Sequence, residues 1–354
     1  MRIALLTIWH EKNYGAELQA YATIKVLRNL GHSVRMIDIR LSDMRYSNYK
    51  QKVVDIISSF GQDDRSFNHF WKKYIPTTRR YRSIEELKSN PPVADVFLVG
   101  SDQVWNPDIT KDFSSIFFLN FGSEQIPRIS YASSFGKESW THPDQKEYVR
   151  EQLKKFMSVS CREESGVSLL KTEFGIESEC VVDPTLLLDD YSEITGPIKE
   201  EKTLVYYPLS YDEELENYSM SLAKRLGLAP INNRKEFRLI NRIPWKRISI
   251  EEWVRNIAQS QFVITRSFHG LVFCLLHHRQ FAILASRNGR GNRLVNLLKL
   301  VGLEDRFYPD TDAIDRDKPW ERMIDYNIVT KVLKQNRRVS LNYLTTSLNR
   351  VKSK

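Results

Sequence analysis

Apolar positions along the chain alternate between two periods. Ile3–Trp9 is an apolar run with β-branched residues and predicts a strand buried in a parallel sheet. Leu18, Ala22, Val26 and Leu30 then recur at helical spacing over Gly15–Asn29, and Gly31 closes the helix. Val34–Ile39 is a second buried strand. This βαβ unit predicts an α/β fold with a doubly wound sheet. Strand character returns at Val96–Val99, Ile129–Ser133, Met157–Ser160 and Cys180–Val182, with helices at Gln145–Phe156 and Gly166–Thr172.

Between the second and third of these strands the rhythm breaks. Arg40–Arg82 holds ten basic and four acidic residues, with aromatics at Tyr46, Tyr49, Phe60, Phe67, Phe70, Trp71, Tyr74 and Tyr81. It predicts a helical insertion over 41–90, either a solvated lobe or an acceptor surface. Gly196-Pro197 and mixed charges mark Asp189–Lys202 as a linker. A second α/β series follows. Strands are expected at Thr203–Tyr207, Phe262–Thr265 and Phe281–Ala285, and helices at Glu214–Leu226, Trp253–Gln259, Gly270–His277 and Asn292–Val301. The expected domains are 1–190, 200–325 and a basic terminal helix over 326–354. Two Rossmann-like domains would face a cleft, each a parallel sheet with helices on both faces. Ligands would bind beyond the carboxyl ends of the strands.

Charge sharpens this division. The 354 residues carry 53 Lys and Arg against 44 Asp and Glu, a net charge of +9. Seven of the basic residues and no acidic ones fall from Tyr326 onward, which leaves +2 for the rest. A near-neutral body argues against a nucleic-acid partner. In the tail, Leu341, Leu344, Leu348 and Val351 sit at helical spacing between basic residues. Either the helix packs back on the N-terminal domain, or it rests on an anionic membrane. Cys161, Cys180 and Cys274 are an odd number without metal-ligand spacing, as a reducing compartment favours. The first apolar run is too short to span a bilayer, and no A-x-A-like cleavage site follows it. A cytoplasmic protein is expected, at most peripheral at the inner face of the plasma membrane.

Candidate chemistry lies just after the strands. Asn13 and Gly15 follow the first, where a glycine at a helix start lets a ligand reach backbone N–H groups; the plainer reading is a helix cap. Gly100-Ser101-Asp102-Gln103-Val104-Trp105-Asn106 follows Val96–Val99. Asp102 could act as a base and Trp105 could stack on a sugar, or they could be a cap and a packing residue. Arg162 directly after a strand could grip an anion, or pair with Glu163 or Glu164. Asp183 before Pro184 predicts a braced turn. Arg266-Ser267-Phe268-His269-Gly270 joins a strand to an apolar helix, where His269 could meet an anion, act as a general acid, or be a packed core histidine. Arg287 to Arg293, rich in Arg and Gly, looks like an anion cradle or a solvated loop. The sequence has no Walker A, GxSxG, HExxH or GxGxxG, so no metal or cofactor is expected.

At these positions the sequence resembles the polysaccharide pyruvyl transferase family. The matching residues are Asn13–Ala20, Gly100–Asn106, Tyr131–Gly136, Ser160–Glu163, Asp183–Thr185, Ser267–Gly270 and Asn292–Leu294, then Leu298 and Gly302-Leu303, spanning about 3–307. The resemblance implies a GT-B-like fold. It also implies transfer of pyruvate from phosphoenolpyruvate to a sugar of a cell-surface glycan or its lipid-linked precursor, forming a ketal. One departure stands out: ketal-forming members tend to carry Arg two residues before the motif His, where this chain has Ser267, with Arg266 one position earlier. On this reading Arg162, Arg266, Ser267, Arg293 and Gly270 bind the donor, and Asn13, Gly15, Gln103, Trp105 and Asn106 bind the acceptor. His269 protonates the methylene carbon or assists phosphate departure, and Asp102 is the base. The rivals are a metal-independent glycosyltransferase using a nucleotide sugar and an inactive glycan-binding relative.

Overall fold

The computed structural model describes residues 1–40, 65–209, 212–234, 247–285 and 291–352. Among these, two compact units separate, one of 1–40, 70–188 and 336–352, the other of 65–69 and 189–335. In the first, β1 (Arg2–Leu6), β2 (Ser33–Ile39), β3 (Thr77–Tyr81), β4 (Val96–Val99) and β5 (Arg128–Ser130) form a sheet in the order β3-β2-β1-β4-β5. Its pairs are all parallel. The two short strands β6 (Ser160–Cys161) and β7 (Glu179–Cys180) pair beside it. Single bridges Ile129↔Ser158 and Ser133↔Cys161 join them to the β5 side. The core strands read as apolar runs because both faces are covered: Leu5, Leu6, Val96, Phe97, Leu98 and Val99 are all buried.

In the second unit, β8 (Thr203–Tyr207), β9 (Ala229–Asn232), β10 (Phe262–Thr265), β11 (Gln280–Leu284) and β12 (Phe307–Tyr308) take the order β12-β11-β10-β8-β9. These pairs are parallel too. Hydrophobic patterning does not reveal β9 and β12. Both are short edge strands, and β9 contains Pro230, which only an edge accommodates.

The stretch expected to be a helical insertion is corrected by the structure. Residues 41–64, with Tyr46, Tyr49 and Phe60, lie outside the described residues. Of the remainder, Arg65–Tyr74 and Ile84–Ser89 are helices, but Thr77–Tyr81 is β3, an edge strand of the main sheet. Its exposed Arg79 and Arg80 suit an edge that must not recruit another chain. Phe67, Phe70, Trp71, Tyr74 and Tyr81 are buried, so these aromatics fill a core and offer no acceptor surface.

The terminal helix Tyr326–Lys352 begins in the second unit and belongs to the first from residue 336. There Arg337 donates to the carbonyls of Leu186 and Leu188, Ser340 Oγ accepts from Val182 N, and Tyr343 donates to the Ser130 carbonyl at 2.9 Å. Leu344 and Leu348 are buried. Two residues of the apolar stripe are thus used on protein, while Leu341 and Val351 are half-buried. No described helix is long and apolar enough to cross a membrane. Leu344→Ala should destabilise the protein by about 2–5 kcal/mol, measured by urea unfolding. An unchanged midpoint would mean that the helix does not hold the first unit.

Candidate functional site

In the first unit the candidate residues gather at the carboxyl ends of β1, β4, β5 and β6. Their centre is Arg162, whose side chain is 3% exposed. It donates to Asp183 Oδ2 at 2.9 Å and Glu163 Oε1 at 3.1 Å, with Asp102 Oδ1 3.9 Å away. Burial alone pushes the guanidinium down; the carboxylates of Glu163, Asp183 and Asp102 outweigh it and hold the group above its ordinary value. Those carboxylates are fastened in turn. Asp183 accepts from Ser101 Oγ, Thr185 N and Thr185 Oγ1, and Glu163 from Ser134 Oγ. The pairing with Glu163 is the alternative to an anion grip that the sequence left open for Arg162. Three carboxylates already face this one guanidinium, and a further anion would meet net negative charge.

Asp102 is half-buried and has a left-handed backbone, φ +75°. A non-glycine residue adopts that conformation at a cost of order 1–3 kcal/mol, borne where surrounding bonds over-determine it. Here Ser134 N donates to the Asp102 carbonyl and Gln103 N to its Oδ1. Asp102 and Ser133 also continue the β4–β5 ladder as a parallel bridge.

The neighbours expected to bind an acceptor are mostly used internally. Trp105 is fully buried, stacked on Phe118 at 5.8 Å and tilted against Phe135, with its indole N–H on the Phe117 carbonyl. No face of it is open to a sugar, because the chain after β4 turns inward to fill the core. Gln103 Oε1 accepts from Asn106 Nδ2 at 2.9 Å, and Asn106 Oδ1 accepts from Asp108 N as a helix cap. Asn13 is likewise a cap, accepting from Gly15 N and Ala16 N. Gly15 is buried within the helix Tyr14–Asn29.

One group at the end of β1 is not among the residues expected from the sequence. Glu17 is fully buried and accepts from Trp71 Nε1 at 2.7 Å, Glu11 N at 3.1 Å and His10 N at 3.4 Å. The His10 imidazole stacks on the Trp71 indole, centroids 3.5 Å apart. His10 and Lys12 both have positive φ, so this carboxylate braces a strained loop where ligands of parallel sheets bind. Burial pushes the Glu17 carboxyl up to about 7 against those three N–H donors. The sequence does carry a signal: over Tyr14–Ile24 only Glu17, Gln19 and Thr23 interrupt apolar, aromatic or small residues, so the Glu must be satisfied inside.

In the second unit the candidates meet at the end of β10. Ser267 caps the helix Phe268–Leu276, accepting from Gly270 N at 3.2 Å, and Ser267 N donates to Thr265 Oγ1. A Cβ on Gly270 would lie 2.8 Å from Thr265 Oγ1, so only glycine lets the helix pack this closely on the strand. His269 is buried in the first turn, at the positive end of the helix. Arg266 donates to Asp212 Oδ2 at 3.0 Å and to the Ala285 carbonyl. It ties the end of β10 to the chain just after β11 and to the cap of the helix Glu213–Leu226, so its guanidinium is engaged within the protein. Arg293 lies over the Phe268 ring at 5.9 Å. Residues 286–290 of the Arg-rich loop lie outside the described residues. Among the described residues no group of three or more His, Cys, Asp or Glu could hold a metal.

Two outcomes test this geometry. Arg162→Ala leaves buried carboxylates uncompensated and should cost about 3–5 kcal/mol in unfolding free energy. Normal stability with weakened donor binding would restore Arg162 as an anion grip. The second concerns pH. The folded pKa of Glu17 exceeds its unfolded value of 4.5, so its contribution to stability is complete below pH 4.5 and is lost as pH rises through about 7. The Tm difference between wild type and Glu17→Gln should fall over that window, by the equivalent of on the order of 3 kcal/mol. A difference that does not vary with pH would remove Glu17 as a titrating group.

Comparison with solved structures gives an independent view of the fold. UDP-GlcNAc 2-epimerase from Neisseria meningitidis bound to UDP-GlcNAc is similar at a TM-score of 0.55 and 11% identity, over 98% of this chain and 100% of that one. Arabidopsis thaliana UGT89C1 complexed with UDP-L-rhamnose gives 0.53 and 12%, over 97% of each. UDP-GlcNAc 2-epimerase from Methanocaldococcus jannaschii gives 0.50 and 11%, over 92% and 93%. At such identities the likeness is one of fold, and the fold is GT-B-like: two Rossmann-like units with parallel sheets. No curated protein matches by sequence. The family model for polysaccharide pyruvyl transferase matches residues 13–288, most of the chain and nearly all the motifs above. The chain therefore belongs to the polysaccharide pyruvyl transferase family.

Proposed function

We propose that the protein transfers the pyruvyl group of phosphoenolpyruvate to two hydroxyls of one sugar, in a cell-surface polysaccharide or its lipid-linked precursor. The observation that carries this reading is the end of β10. A Ser267-capped helix N-terminus, the buried His269 and Arg293 lie together there. The positive end of a helix, an imidazole and a guanidinium suit a small polyanion. The acidic cluster around Asp102 in the first unit suits the opposite partner, since carboxylates accept hydrogen bonds from sugar hydroxyls. The expected division is donor on the second unit and acceptor on the first.

His269 gives a proton to the methylene carbon of phosphoenolpyruvate, and the adjacent carbon becomes electrophilic. A sugar hydroxyl attacks that carbon and passes its proton to Asp102. The bond to phosphate breaks and phosphate leaves with its electron pair. The second hydroxyl of the same sugar adds to the resulting cation, passes its proton to the departed phosphate and closes the ketal. Holding both hydroxyls near one carbon supplies a proximity term beyond the acid–base one.

Incubation with phosphoenolpyruvate and a glycan acceptor should release phosphate and add a ketal-sized mass to the acceptor. His269→Ala should cut that turnover by ~10²–10⁴; turnover near wild type would take His269 out of the mechanism. Phosphoenolpyruvate should also raise Tm. A rise with a nucleotide sugar and none with phosphoenolpyruvate would move the reading to glycosyl transfer.

A further inference from the structure

The carboxyl-end cluster of the first unit has a counterpart at the amino ends of β6 and β7. There the chain entering β6 (Met157, Ser158, Val159) and the chain entering β7 (Ile176–Glu179) meet the last turns of the terminal helix. They enclose a groove with a volume of about 370 Å³. That is within the size of small-ligand sites.

Its lining is unlike a packing defect. The hydroxyls of Ser158 and Ser178 are buried there with no hydrogen-bond partner, although a buried hydroxyl ordinarily has one. Ser158 is only 9% exposed. Asn342 and Thr346 add an exposed amide and hydroxyl from the helix, while Phe156, Met157 and Ile176 supply an apolar wall. The charged lining cancels: Lys154 and Arg350 against Glu177 and Glu179. Of these, Lys154 is held by Glu151 at 2.7 Å and Glu177 by Lys171 at 3.1 Å. A strongly ionic ligand has nothing to recognise there. A ligand with several hydroxyls and one apolar face has both halves of its recognition supplied.

We propose that this groove binds a neutral pyranose unit, separately from the carboxyl-end site. Hydroxyls of the sugar would satisfy Ser158, Ser178 and Asn342, and its C–H face would lie on Phe156. The groove would hold a glycan at a distance from the reacting sugar, and binding there needs no donor.

The test is saturation-transfer NMR on the full chain without phosphoenolpyruvate. The probes are methyl β-glucoside, methyl β-galactoside and N-acetylglucosamine, with lactose and N,N′-diacetylchitobiose as disaccharides. Thr346→Trp fills the groove from an exposed position, and Asn342→Ala removes one polar partner; thermal melting confirms that both remain folded. The expected result is saturable binding of at least one probe, lost in Thr346→Trp and weakened ~3–10-fold in Asn342→Ala, the value of one hydrogen bond. Tighter binding of a disaccharide assigns the groove to a glycan chain and equal binding to a free sugar; both support it. No saturable binding by any probe, or binding unchanged in Thr346→Trp, overturns it. Because no donor is present, that failure would leave the proposed ketal chemistry untouched, and a failure of ketal formation would not affect the groove.

Discussion

The strand-end cluster of the first unit depends on one buried cation, Arg162. Arg162 lies at the meeting point of loops that follow β4, β6 and β7, and each loop brings a carboxylate to it. A charge this deep is tolerated only if its partners are held in place. The serines and threonine around it do that holding: Ser101 and Thr185 on Asp183, and Ser134 on Glu163. The position of Asp102 follows from this network. Its left-handed backbone is kept by bonds to Ser134 and Gln103, and both belong to segments that the network fixes.

The two units thus end their strands with opposite electrostatic character. Around Arg162 carboxylates outnumber cations, and Asp102, the member of that cluster left partly exposed, is an acid. At the end of β10 a helix presents its positive end, with His269 inside the first turn and Arg293 close by. Both arrangements come from strand-to-helix turns of similar design. The difference lies in which side chains the turns carry. The same family of folds can therefore seat unlike ligands on its two halves without altering the backbone plan.

Much of the site is legible in the sequence. The residues after Val99, Ser160 and Thr265 stand out because parallel sheets expose ligand sites at those ends, and those after Val99 and Ser160 meet around Arg162. Their roles are less legible. Asn13 and Asn106 are caps, Gln103 bonds to Asn106, and Trp105 fills the core. A polar or aromatic residue after a strand has the same appearance whether it meets a ligand or the next turn of its own chain. Glu17 escapes notice for a related reason. Its importance comes from Trp71, which is 54 residues away in sequence.

From the sequence alone follow the alternation of strand and helix, the division into two α/β halves, the positions of the motifs and the concentration of positive charge in the tail. Those properties depend on local periodicity and on counting, which a chain carries in its order. Tertiary structure decided which charges are neutralised and which faces are covered. Ser101 reaches Asp183 across 82 residues, and Tyr343 reaches Ser130 across 213. Burial and pairing are properties of such long-range contacts. They set Arg162 among carboxylates, Trp105 in the core, and Leu344 and Leu348 of the terminal helix against protein.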